Sequence, residues 1–222
     1  GLGLPVSIWQ SQILPSRVRD YQPAMLDELL SAGDIIWAGE RALGHNDGLV
    51  SLHLREFAAE TLLPLPQGND ALRLTPLHDA ILARLDDGGA WFAHQIAAEQ
   101  TVDEAQIQSA LWELAWAGYV TSDTWAALRQ LTGMANSARA KPTRSLRTRR
   151  GRISLSLGRP ATPALPGRWS RLYRSVAPPA QLALAIAENM LDRWGVVTRG
   201  AAIAEQVPGG FPALQPVMRG LE

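Results

Sequence analysis

The 222-residue chain is 46% hydrophobic, enough for one large or two small globular domains. It has no cysteine, which excludes a disulfide framework, a thiol nucleophile and a cysteine-based zinc site, and suits a reducing, cytosolic compartment. Its 21 basic and 21 acidic side chains cancel in sum but are segregated: residues 1–123 carry seventeen acids against six bases, whereas residues 124–187 carry twelve Lys or Arg and no acid.

The cationic block is densest from Lys141 to Arg152, in KPTRSLRTRRGR. Such a block binds polyanions through counterion release, although basic linkers without a partner share the composition. No stretch reaches the roughly 18 apolar residues that span a bilayer, and no signal-peptide pattern is present. The chain opens on Gly1 and reads as a piece of a longer polypeptide.

Residues 22–33 predict a short helix, with Pro23 in the first turn, Met25, Leu26, Leu29 and Leu30 as its apolar stripe and Gly33 to end it. Around the turn signal His45-Asn46-Asp47-Gly48, the alternation of Ile35 and Trp37, then Val50, Leu52 and Leu54, predicts two strands of a hairpin or small barrel. Residues 62–70, with Pro64, Pro66 and Gly68, read as a linker. Thr75-Pro76 opens a helix with Leu77, Ala80, Ile81 and Leu85 on one face, ended by Gly88-Gly89. A short helix over 93–99 follows. Thr101 with Glu104 then predicts the capping box of a third helix, whose buried face is Ile107, Ala110, Leu111, Leu114 and Ala115. Tyr119-Val120-Thr121 begins a strand. Three helices and a strand in this order are the plan of a winged helix.

The plan recurs. LDDGGAWFAHQIAAEQ (85–100) and LDRWGVVTRGAAIAEQ (191–206) align without a gap at an offset of 106 residues. Two related modules separated by a dissimilar insertion follow from that period. Residues 133–150 are too polar to fold alone, Arg152–Gly158 alternates as a strand does, and 160–166 is a Pro-rich connector.

Single residues support chemistry only weakly. His45, His53, His78 and His94 have no metal-ligand spacing. His53 and Asp47 are candidates to meet across the hairpin, Gln10 and Gln12 invite a catalytic comparison, and Asp86-Asp87 a general-base role. In each case an ordinary strand, loop or helix position is the competing account. Trp112, Trp116 and Trp125 are either a base-stacking surface or core, with helical spacing favouring core, and Trp169 is flanked by Arg168 and Arg171. Helix 103–117 carries Glu104, Gln106, Gln108, Ser109 and Glu113 on its polar face and no Lys or Arg, so its carboxylates would repel a duplex.

LWELAWAGYVTSDTWAALRQL (111–131), GRWSRL (167–172), LDRWGVVTRGAAIAEQVPGGF (191–211) and RVRDYQPAMLDELLSAGDIIWAG (17–39) resemble the C-terminal region of Lhr, the bacterial large helicase-related superfamily-2 DNA helicases. That region is in turn similar to AlkZ-type winged-helix DNA glycosylases. The resemblance implies a bacterial, cytoplasmic setting and a place downstream of an ATPase core. ATP and Mg belong to the parent motor, and no cofactor is expected within this region, where neither a G-x-x-x-x-G-K-[ST] loop nor a DExH-type box occurs. The aspartate associated with uracil excision in some members lies near the far C-terminus of the family chain and has no match here.

The expected fold is α+β, with tandem winged helices, the second truncated, and a small β-barrel-like unit. Residues 1–70 form a short helix plus the β-rich unit, 71–132 a winged helix, 133–166 a basic flexible insertion, and 167–222 a strand returning to the barrel plus the partial second winged helix. The expected function is a non-motor accessory region that contacts DNA, single-stranded or tailed, with RNA as an alternative. The contacts would run through Lys141, Arg144, Arg147, Arg149, Arg150, Arg152, Arg168 and Arg171. Further partners are the rest of the helicase chain and a second copy in a homo-oligomer. A uracil-excising glycosylase-like domain and a purely structural oligomerisation module stay open as the other classes.

Overall fold

Two three-stranded antiparallel sheets organise the chain in the computed structural model, which describes residues 2–65, 71–134, 164–174 and 178–221. The first sheet runs β1 (Leu4–Pro5), β3 (Asp47–Leu54), β2 (Ile35–Leu43). Between β1 and β2 lie α1 (Val6–Ile8), a π-helical turn (Trp9–Ile13), α2 (Leu14–Arg17) and α3 (Pro23–Ala32). Helix α3 forms as its sequence predicts, with Pro23 in the first turn and Gly33 at φ 82° accepting the left-handed end that a Cβ would strain. The hairpin turns at residues 44–46, so Asp47 and Gly48 belong to β3 rather than to the turn.

After β3 come a 3-10 turn (Arg55–Phe57) and α4 (Ala58–Thr61). The second sheet runs β4 (Trp91–Phe92), β6 (Arg168–Arg171), β5 (Val120–Ser122). Helix α5 (Pro76–Asp86) precedes β4, α6 (Ala93–Gln100) and α7 (Glu104–Trp116) separate β4 from β5, and α8 (Ala126–Leu131) follows β5. In both sheets the strand before the helices pairs with the last strand, which is central. The two sheets are therefore built on one plan. The chain ends in α9 (Pro179–Trp194), α10 (Arg199–Ala204) and α11 (Gly210–Leu221).

The α+β class and the helical repeat hold. Helices α6 and α10 start at Ala93 and Arg199, the sequence offset of the repeat, and Gly89 and Gly195 both sit at positive φ, 94° and 69°. Two expectations change. The described strands form two open sheets and not a closed barrel. Helix α7 is capped by Asp103, whose carboxylate accepts from the Ala105 N–H at 3.3 Å, and not by Thr101. Thr101 instead closes α6 at φ 51°, where the Val102 N–H turns back to the Ala97 carbonyl, so the cap of α7 falls two residues later. The strand expected at 152–158 lies outside the described residues.

One core serves both sheets. Ile107, Ala110, Leu111, Leu114 and Ala115 form the buried stripe of α7, as their spacing predicts, and pack with Ile81, Leu85, Trp37, Val50 and Trp169. Each fully buried large apolar side chain contributes roughly 1.5–3 kcal/mol. Trp37 joins the sheets: its Nε1–H donates to the Ser122 carbonyl at 2.9 Å, and Thr121 Oγ1 donates to the Trp37 carbonyl at 2.7 Å. Strand β2 approaches the end of α7 so closely that a Cβ on Gly39 would lie 2.2 Å from the Ala115 carbonyl oxygen. Helices α9–α11 bury a separate cluster of Met190, Val197, Ala201, Ala202, Val207 and Leu214.

Candidate nucleic-acid interface

The cationic segment is framed by a hydrogen-bonded strand pair. Val120, Thr121 and Ser122 of β5 lie opposite Arg171, Ser170 and Trp169 of β6, so the two ends of the cationic segment are brought together at one strand pair. The departure is pinned by α8. Asp27, reaching over from α3, accepts at Oδ1 from the Trp125 N–H at 2.9 Å and from Thr124 Oγ1 at 3.0 Å, and pairs through Oδ2 with Arg129. At the return, Gly167 takes φ 84°, where an added Cβ would meet Thr124 and Ser122.

Of the eight cations expected to hold nucleic acid, Lys141, Arg144, Arg147, Arg149, Arg150 and Arg152 lie outside the described residues. Arg168 and Arg171 stand on β6. Arg168 Nε lies 2.7 Å from Asp123 Oδ2, with half of its side chain exposed. Arg171 Nε lies 3.0 Å from Asp86 Oδ1, and its guanidinium carbon is 5.3 Å from the Tyr119 ring centroid. Arg174 donates from Nε to the Gly118 carbonyl at 3.2 Å and also to the Leu63 carbonyl. Each described arginine between 124 and 187 is thus already engaged within the chain, so a phosphate would have to compete for it. The aspartate partners, Asp86 and Asp123, were invisible in sequence because they lie outside the cationic block.

The tryptophans are packing groups. Trp125 and Trp169 are fully buried. Trp112 stacks on Trp116 at 5.4 Å and meets the edge of Trp169 at 5.5 Å, and Trp37 meets Trp169 at 6.0 Å. Gln10 is a buried tie: its amide donates to the Tyr21 hydroxyl at 2.9 Å and its carbonyl accepts from Arg129 at 3.2 Å. Asp47 binds the Ser7 hydroxyl at 2.5 Å and does not meet His53.

Sequence reasoning missed a second locus, a cavity of about 220 Å³ lined by Glu40, Ser51, His53, Thr61 and Arg174 among others. His53 is buried, with Nδ1 2.8 Å from Thr61 Oγ1 and Nε2 2.9 Å from Ser51 Oγ. Burial, reinforced by the Arg174 cation, pushes its pKa down to about 3, so the ring is neutral. Desolvation raises the Glu40 carboxyl above its ordinary value, opposed by a hydrogen bond with Ser51 and the charge of Arg174, while part of the side chain stays open to solvent. The available signal was the period-2 placement of Ser51 and His53 on one face of β3. Among the described residues no cluster of His, Asp and Glu is arranged to hold a metal ion, and no helix is long and apolar enough to cross a membrane.

The helix-then-hairpin order of the first sheet and the three helices of the last segment coincide with known domains. Two family models, each described as large helicase-related protein, winged-helix domain, match residues 1–55 and 176–222. A relative from Escherichia coli, "Lhr helicase/uracil glycosylase", is 49% identical over 238 aligned positions covering 100% of this chain. The chain belongs to the large helicase-related (Lhr) family. A second Lhr protein, "Lhr helicase/ probable uracil glycosylase" of Mycolicibacterium smegmatis, is 40% identical over 229 positions, again across 100% of the chain. The chain spans 15% of the length of each of these Lhr relatives. It is a winged-helix region of an Lhr-type protein, and the hairpin β2–β3, read from sequence as part of a barrel-like unit, falls inside a matched Lhr winged-helix domain.

Proposed function

We propose that this chain is a non-motor accessory region of an Lhr-type DNA-repair helicase, and that it engages single-stranded or tailed nucleic acid through the segment between β5 and β6. One observation carries the reading: nine Lys or Arg and no acid between 124 and 167, in the stretch that links the adjacent strands β5 and β6. A stretch of sequence rich in cations and free of acids attracts polyanions through counterion release. On this reading Lys141, Arg144, Arg147, Arg149, Arg150 and Arg152 make the phosphate contacts, while Arg168 and Arg171, already paired with Asp123 and Asp86, chiefly hold β6 in place. ATP hydrolysis belongs to the remainder of the parent protein.

The test replaces Arg144, Arg147, Arg149, Arg150 and Arg152 by Ser in the full-length protein. Affinity for a single-stranded oligonucleotide is then measured across a salt series. Each lost phosphate contact lowers the slope of log affinity against log salt by about 0.7. An unchanged slope refutes the placement.

A second reading, a glycosylase-like scaffold, draws on the cavity beside Glu40 and on the uracil glycosylase names of both relatives. A carboxyl raised by partial burial suits proton transfer. Loss of uracil excision in Glu40→Gln, with the substituted protein folded, would favour it over the accessory reading. Unchanged excision would remove Glu40 from consideration.

A further inference from the structure

The aromatic rings of Phe92 and His94 lie stacked on the surface, with centroids 5.4 Å apart and planes inclined by 19°. Both residues are exposed, Phe92 at 39%. Their neighbours show why this is not a core contact. Trp91, one residue earlier on β4, turns to the opposite face and packs against the core with its cross-strand partner Trp169. Phe92 therefore faces water because strand alternation puts it there, and among the described residues β4 is an edge of its sheet. Its backbone is fixed on that edge, since the Phe92 N–H donates to Gln95 Oε1 at 3.0 Å.

What faces Phe92 identifies the ligand. Its cross-strand partner is Arg168. Residues directly opposite in an antiparallel pair share a face, with Cβ atoms about 4.5–5.5 Å apart. Arg168 thus leaves the strand on the same face as Phe92, and its half-exposed guanidinium is paired with Asp123. Arg168 is also the first residue of β6, the point where the cationic stretch re-enters the sheet. A flat exposed aromatic surface on the strand opposite a half-exposed arginine, where a stretch of sequence rich in cations and free of acids rejoins the sheet, matches an anionic chain that carries planar bases.

We propose that Phe92 and His94 form a stacking platform for a base of single-stranded nucleic acid, with Arg168 beside it. The proposal deepens the nucleic-acid reading given above by naming a base-contact site distinct from the phosphate-contact segment. Stacking operates on the base and not on the backbone charge, so the two contributions are separable by experiment.

The probe is a single-stranded oligodeoxynucleotide bearing 5-iododeoxyuridine, photocross-linked to the full-length protein and mapped by peptide mass spectrometry. The expected product is a cross-link on the peptide containing Phe92–His94. Its yield at subsaturating strand should fall about tenfold in Phe92→Leu and in His94→Ala, and be retained in Phe92→Tyr, which keeps a ring. Phe92 and His94 are exposed, so the unfolding midpoint should hold in all three variants. Cross-links that map elsewhere, or a yield indifferent to Phe92→Leu, overturn the platform. The arginine-to-serine variant of the basic segment separates the two claims. If its salt slope falls while the Phe92 peptide stays unlabelled, the platform is wrong and the segment reading stands. If the peptide is labelled and the slope is unchanged, the platform stands and the segment reading is wrong. If the peptide is unlabelled and the slope is unchanged, both are wrong.

Discussion

Asp27 accepts from the backbone N–H of Trp125, the residue that precedes α8 and lies 98 positions further along the chain. The same carboxylate accepts from the Trp125 N–H and from Thr124 Oγ1 and pairs with Arg129, so a side chain of α3 holds α8 and the exit of the cationic segment. Cutting Asp27 back to Ala strands a helix-end N–H and a partly buried guanidinium together. Loss of about 2 kcal/mol is expected in urea unfolding, with a smaller loss for Asp27→Asn, which keeps an acceptor for the N–H.

The neutral His53 makes the chain acid-sensitive. Its folded pKa, lowered to about 3 mainly by burial, lies below the unfolded value of 6.5, so the unfolded chain binds the additional proton. The contribution is complete above about pH 6.5 and is lost progressively as pH falls toward 3, by at most about 1.4 kcal/mol per unit. Urea midpoints at pH 7 and pH 5 should therefore differ less for His53→Gln than for the parent. An identical pH dependence would contradict the neutral, buried ring.

Gly39 is the contact where bulk is least tolerated. Its neighbour is backbone, the Ala115 carbonyl oxygen, which cannot rotate away as a side chain would. Gly39→Ala should force β2 off the end of α7 and destabilise by about 1–3 kcal/mol. Gly44→Ala has open space around its Cβ and tests only the positive φ, 69°, so its cost should be about 1 kcal/mol. Thermal unfolding of the two variants gives the ranking directly.

Glu205 ties the end of α9 to the end of α10. Burial alone would raise its carboxyl, but hydrogen bonds from Arg193 and Trp194 and the charge of Arg193 outweigh it and hold the group below its ordinary value. A depressed carboxyl stabilises above its unfolded pKa and loses that stabilisation as pH falls through the folded pKa. Trp194 Nε1 lies 2.6 Å from Glu205 Oε1, so its fluorescence reports the same protonation. Acid titration should show a Trp194 transition below the ordinary carboxylate range, absent in Glu205→Gln.

Helix α7 was legible before any coordinates, because a spacing of three and four residues in Ile107, Ala110, Leu111, Leu114 and Ala115 leaves one buried face and no alternative. Helix α3 and the β2–β3 hairpin were legible for the same kind of reason, as was the repeat joining α6 and α10. Those signals are local: periodicity, a proline that opens a turn and a glycine that ends one. The switch from Thr101 to Asp103 as the cap of α7 was not legible, since both residues offer an oxygen and only the turn at the end of α6 decides between them.

The charge map behaved likewise. Sequence alone determined that the cations are gathered between 124 and 187, because composition is a property of the chain itself. It did not reveal that Arg129, Arg168 and Arg171 are matched by Asp27, Asp123 and Asp86, nor that Phe92 stands opposite Arg168. These pairings join residues up to 102 positions apart. A hydrogen bond or ion pair reaches only a few ångströms, so which distant groups come within that reach is decided when the sheets close over their shared core, and only the tertiary structure records it.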